Sequence, residues 1–186
     1  LYGPSATVLC NLAEQKPAVG STDREPVLTV GNPSYHRDEQ PADTGSVLEQ
    51  LATGSRYSTL GGRLTPLPYS GWEAQWIRDV FGKQGIKATM LDGPNATEAN
   101  VRAQMMDRRV VHLACHGLVD QSHGNFFGAL AFVPGKKQTD LTDDGFLTLP
   151  EIYGLNLKAC ELAILSACET NSGPEQRGEG VWALSR

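Results

Sequence analysis

Three apolar runs of strand length set the strongest limit on what this chain can fold into: Pro26–Val30 (PVLTV), Arg109–Cys115 (RVVHLAC) and Glu161–Ala167 (ELAILSA). A strand with one wet face alternates apolar and polar residues, whereas these runs are apolar at successive positions and call for cover on both faces. Between the first two runs the period changes. From Ser70 onward, Trp72, Trp76, Ile77, Val80 and Phe81 recur at three- and four-residue spacings and stop before Gly82 and Gly85. That spacing predicts an amphipathic helix, with both tryptophans turned to the core. Ile86–Leu91 reads as a strand, and Thr97 as the cap of a helix over Glu98–Met106. Strands buried on both faces and alternating with helices predict an α/β fold of three layers, a mostly parallel central sheet flanked by helices.

The remaining segments are less regular. Leu1–Gln15 carries Val8, Leu9 and Leu12 behind Ser5 and Thr7, which suggests a short helix, and Lys16–Glu25 is a polar loop. Gly31-Asn32-Pro33 reads as a sharp stop after the first strand, and Tyr35–Leu67 as a long surface excursion with a short helix around Ser46–Ala52. Phe126–Pro134 suggests an edge strand or hairpin arm, followed by a polar loop over Gly135–Gly145. Leu149-Pro150 opens a short helix, and a further helix is expected from Gly178 to Arg186.

Composition narrows the function classes. Sixteen Lys and Arg against 21 Asp and Glu leave a net charge of −5 without a basic run, so there is no electrostatic footprint for nucleic acid. No stretch approaches the roughly 20 apolar residues of a membrane span, and Leu1–Leu12 lacks the basic start of a secretory signal. Four cysteines among 186 residues, with no CxxC pair, are too few for a disulfide scaffold, so reduced thiols in the cytoplasm are expected. No metal or other cofactor is expected.

In parallel sheets reactive groups sit at the carboxyl ends of the strands. Two of the apolar runs end in reactive side chains, His116 and Cys168. A thiol nucleophile needs a base, and the ends of neighbouring parallel strands lie roughly 5 to 10 Å apart, close enough to supply one. The two residues are 52 apart in sequence, against about 50 between the His and Cys of caspases. Gly117 leaves the backbone accessible, and its N–H with that of Cys168 makes a candidate oxyanion hole. Cys115 alternates to the other side of its strand and reads as core, and Cys10 and Cys160 read as structural.

The blocks VVHLACHG (Val110–Gly117), DGFLTLPEIYGLNL (Asp144–Leu157), LAILSACETNSG (Leu162–Gly173) and RGEGVWALSR (Arg177–Arg186) resemble the signature blocks of the CHAT domain. These are caspase-like peptidases associated with TPR repeats and related to separase, caspases and metacaspases. YGPSAT (Tyr2–Thr7), VGNP (Val30–Pro33), LPYSGWEAQWI (Leu67–Ile77) and the block Ala96–Val101 fit the same order, so the resemblance covers nearly all of residues 1–186. It implies a cysteine endopeptidase acting on protein substrates, with His116 as general base and Cys168 as nucleophile, regulated by other parts such as TPR-like helical repeats. Metacaspase-like relatives place an acid two positions before the cysteine, where this chain has Ser166; Asp143, Asp144 and Glu169 are the candidate acids for a substrate pocket. Family members continue beyond the ALSR block. The chain is therefore expected to lack a C-terminal section of its domain, which would leave one side of the sheet uncovered.

Other readings carry less. His112, Cys115, His116 and Cys168 are zinc-ligand types, but they lack a closely spaced cysteine pair and His112 lies deep in an apolar run. His123 and the acidic residues Asp140 to Asp144 read as solvated loop, without EF-hand spacing. No phosphate-binding glycine loop follows a strand, which removes a nucleotide-binding domain. A catalytically silent interaction module with the same fold is the alternative to an enzyme.

Overall fold

The computed structural model describes residues 25–35, 64–118, 128–135, 143–167, 175–176 and 180–181. Cys10, His123, Asp140, Cys168, Glu169 and the helices expected in Leu1–Gln15 and Ser46–Ala52 lie outside the described residues. The β-branched run predicted as the first strand forms β1 (Val27–Pro33), with Val27, Leu28, Thr29 and Val30 all buried. It is followed by α1 (Pro68–Lys83), β2 (Ala88–Gly93), α2 (Glu98–Met105) and β3 (Val110–Ala114). Three short strands come next, β4 (His116–Leu118), β5 (Ala129–Ala131) and β6 (Phe146–Thr148), then α3 (Leu149–Tyr153) and β7 (Leu162–Leu165). Two-residue strands β8 (Glu175–Gln176) and β9 (Gly180–Val181) pair antiparallel.

The principal sheet has the order β2-β1-β3-β7, and every pairing in it is parallel. From β1 the chain crosses through α1 to β2 on one side, then through α2 to β3 on the other. Right-handed crossovers taken in opposite directions put the two helices on opposite faces. The packing agrees. Val101 and Met105 of α2 share a core with Leu28, Val30, Val111 and Leu113, whereas Ala74 of α1 lies over Thr29, its carbonyl oxygen 3.4 Å from the Thr29 hydroxyl oxygen. This is the expected α/β architecture with a parallel sheet between helices. Beside it, β4, β5 and β6 form a small antiparallel sheet whose buried residues Ala129, Ala131 and Phe146 pack with Tyr35 and Leu64.

The expected Thr97 cap and the expected early proline of the helix at Leu149 are both present, the latter with an added side-chain cap. Thr97 Oγ1 accepts the Asn100 N–H at 3.1 Å at the start of α2. At α3, Glu151 reaches back to the Thr148 N–H at 2.8 Å, with Pro150 in the first turn.

Four details depart from the sequence reading. The Gly-Asn-Pro stop is the end of β1 itself, where the pairing with β2 shifts register between Gly31 and Pro33. His116-Gly117 does not close its strand but opens a new one after the single residue Cys115. Gly180–Val181, expected within a helix, is a strand; Gly178 and Gly180 weaken helix formation and Val181 favours strand. Trp72 and Trp76 are 68% and 66% exposed rather than core-facing.

The last departure has a steric cause. A Cβ on Gly31 would stand 2.3 Å from the Ser70 carbonyl oxygen and 2.9 Å from Ala74 Cβ, so α1 lies almost directly on the backbone of β1. An approach that close admits only small residues on the helix side facing the sheet, and the bulky rings occupy the far side. Gly31→Ala should therefore destabilise the protein by about 1–3 kcal/mol, as overpacking does. Gly82→Ala, in the same helix with nothing within 4 Å of the added Cβ, should stabilise by up to about 1 kcal/mol; urea unfolding of both variants checks the contrast.

Candidate active site

His116 begins β4, and its surroundings fix both its backbone and its ring. The residue pairs with Ala131 of β5, and its N–H donates to the Tyr35 hydroxyl at 3.1 Å. The Tyr35 ring lies against the imidazole, with centroids 5.1 Å apart and planes at 51°. Nε2 lies 2.9 Å from the Thr65 carbonyl oxygen. A carbonyl oxygen only accepts, so Nε2 carries the hydrogen and Nδ1 is the basic nitrogen of the neutral ring.

Thr65 is in turn placed by the end of β1. Asn32 adopts a left-handed backbone (φ 46°), which asparagine tolerates well, and its Oδ1 accepts the Leu67 N–H at 3.2 Å. Ser70 Oγ accepts the Asn32 N–H and donates to the Leu67 carbonyl, both at 2.8 Å. The segment carrying Thr65 is thus tied to the first turn of α1 and to β1 together.

The location follows the topology. β1 leaves the sheet toward the α1 face, whereas β3 leads into β4–β6 and α3, whose Leu147 and Leu149 join the core on the α2 face. Neighbouring strands whose connections diverge open a crevice at their carboxyl ends, the usual binding site of such sheets. His116 and Tyr35 follow the carboxyl ends of β3 and β1. Gly117, the proposed oxyanion donor, is buried in β4 opposite Leu130.

On the other side of β3, β7 pairs with Leu165 beside Leu113, and the Ser166 N–H donates to the Leu113 carbonyl at 2.9 Å. His116 and Cys168 each follow this pair by three residues in sequence. Cys168 and Glu169 lie outside the described residues, whereas Ser166 is exposed and donates its hydroxyl to Glu73 Oε2 at 3.0 Å. The other oxygen of Glu73 is 3.1 Å from Nε2 of His112, a fully buried residue whose Nδ1 is 2.9 Å from Thr29 Oγ1. This polar string on the α1 face was not legible in the sequence, and neither were Tyr35 and Thr65 as partners of His116.

Asp143 and Asp144 lie on the α2 face, away from Glu73 and Ser166. Asp143 accepts the Ala99 N–H in the first turn of α2, and Asp144 accepts the Phe146 N–H, both at 3.0 Å. Between them Glu98 is buried, accepting the Gly145 N–H at 2.9 Å, with Arg102 at 3.4 Å. Burial pushes its carboxyl from 4.5 to about 8, aided by the nearby acids Glu151 and Asp144 and opposed by the Gly145 bond and Arg102. Cys115 is buried in the core with its thiol pushed far up by desolvation, and burial also raises Cys160, so neither is an activated nucleophile.

A family model described as the CHAT domain matches residues 1–186, the whole chain. Among curated proteins, none matches it.

The Glu98 carboxyl makes stability depend on pH. Between about 4.5 and about 8 the folded protein holds a proton on Glu98 that the unfolded chain has released, so raising the pH across this window favours unfolding. Unfolding free energy measured in urea should fall along that interval, and Glu98→Gln should flatten this part of the profile.

Proposed function

The chain belongs to the CHAT domain family, a caspase-like family, and from that premise we propose that it is a cysteine endopeptidase domain in which His116 and Cys168 form the catalytic dyad. The observation that carries this reading is the state of His116. Its Nε2–H is committed to the Thr65 carbonyl, which leaves Nδ1 as a proton acceptor at the carboxyl end of β3, beside the strand that leads to Cys168.

In this mechanism Nδ1 takes the proton from the Cys168 thiol, and the thiolate attacks the scissile carbonyl carbon. The Gly117 and Cys168 N–H groups hold the resulting oxyanion. When the C–N bond breaks, the imidazolium returns its proton to the leaving amine, and the acyl group remains on sulfur as a thioester. Water, deprotonated by the same Nδ1, then releases the acid and restores the thiol. Tyr35 and the Thr65 carbonyl keep the ring oriented through both steps.

The substrates in this reading are proteins, and regulation comes from TPR-like helical repeats. A reducing, cytoplasmic setting suits a working thiol. Among the described residues no helix is long and apolar enough to cross a membrane. Glu169 remains a proposed substrate-pocket residue, whereas Ser166 is held by Glu73, and Asp143 and Asp144 accept backbone N–H groups on the α2 face.

In the full-length protein, Cys168→Ala should reduce peptide cleavage to background. His116→Ala should lower kcat by on the order of 10²- to 10⁴-fold, the usual contribution of a general base. Undiminished cleavage by Cys168→Ala would overturn the dyad, and no cleavage by the unaltered protein would favour a catalytically silent interaction module.

A further inference from the structure

Glu73 joins two strands of the principal sheet from outside it. It projects from the second turn of α1 with its side chain 40% exposed, and one oxygen takes His112 while the other takes Ser166. His112 belongs to β3, four residues before His116, and Ser166 precedes Cys168 by two. A single carboxylate thus spans the strands that lead to the proposed base and the proposed nucleophile.

The direction of each bond is fixed by chemistry. The carboxylate accepts, so His112 Nε2 and Ser166 Oγ are its donors, and in the neutral ring His112 Nδ1 accepts from the Thr29 hydroxyl. The string is anchored at one end by two fully buried side chains, Thr29 and His112, and ends at an exposed serine. At their amino ends β3 and β7 are already joined by the bidentate pair of Arg109 and Glu161, at 2.8 and 2.9 Å. Toward the carboxyl ends the Ser166 N–H donates to the Leu113 carbonyl, and the Glu73 bridge joins the same two strands on the α1 face.

We propose that Glu73 is a positioning residue for the reaction: by holding Ser166 to His112 it sets the chain leading into Cys168 in register with His116. This rests on the dyad reading above. Glutamine preserves the bridge, because its amide oxygen accepts the Ser166 hydroxyl while its NH₂ donates to His112 Nε2. His112 then takes the other tautomer, with Nδ1–H donating to Thr29. Alanine at the same position removes the bridge altogether.

The test uses the full-length protein with a cleavable peptide, reading kcat, KM, melting temperature and the iodoacetamide alkylation rate of Cys168 by peptide mapping. Glu73→Ala should lower kcat by on the order of 10- to 100-fold, the scale of a misplaced reacting group. KM should stay within about twofold, as expected when uniform binding is untouched. Ser166→Ala should act in the same direction and carries the test if Glu73→Ala does not fold. The double variant should be no worse than Glu73→Ala. Glu73→Gln should recover most of kcat, with the ¹⁵N shifts of His112 reporting the exchanged tautomer.

Wild-type kcat and alkylation rate in folded Glu73→Ala, or effects that multiply in the double variant, would overturn the proposal. If instead His116→Ala leaves both cleavage and Cys168 alkylation unchanged, the dyad reading itself fails, and the positioning role with it.

Discussion

Everything on the α1 face depends on how closely that helix lies on β1. Gly31 offers no side chain, and the Ser70 carbonyl occupies the space one would need. The helix therefore begins within hydrogen-bonding reach of Asn32, which takes the Leu67 amide and gives its own to Ser70. That anchorage sets the segment holding Thr65 above His116. It also brings the flank of α1 low enough for Glu73 to reach both β3 and β7. Close packing of this kind gains dispersion from backbone atoms instead of bulky side chains, and tolerates little change in volume.

The two faces of the sheet are consequently unlike. On the α2 face Leu28, Val30, Val111, Leu113, Leu130 and Phe132 make a dry core, the chief store of hydrophobic stabilisation. On the α1 face Thr29, His112, Glu73 and Ser166 make a polar string. Burying such groups is costly unless each is bonded, and among the described residues no buried side-chain nitrogen or oxygen lacks a partner. A fully bonded network fixes directions as an apolar contact does not. In the proposed dyad, this polar face holds the strands that lead to the base and the nucleophile.

The sequence reveals the parallel sheet because burial on both faces leaves an uninterrupted apolar signature, as in Val27–Val30 and Val111–Cys115; β7 carries a similar run although Leu162 and Ile164 are exposed at the sheet edge. It reveals α1 and α2 through periodicity and the Thr97 cap. It misplaces Trp72 and Trp76 because an apolar stripe ordinarily marks the buried side, whereas here steric closeness at Gly31 decides which side is buried. Strands of three residues such as β4 and β6 are too short to carry a period. Of the site, His116 was legible from its place after an apolar run. Its partner Thr65 acts through a backbone carbonyl, which every residue possesses and no side-chain pattern can mark. Glu73 meets partners 39 and 93 residues away, and only the fold brings them together.

In the proposed dyad, the commitment of one imidazole nitrogen to Thr65 makes His116 a directional base. With Nε2–H already donated and the ring braced by Tyr35, a lone pair is presented along a single axis in the plane of the ring. An acidic hydrogen arriving from the Nε2 side meets another hydrogen instead of an acceptor. A dyad built on this ring is one-handed before any substrate arrives: its proton traffic has one port, and a reacting group is sorted by its angle of approach as well as by its acidity.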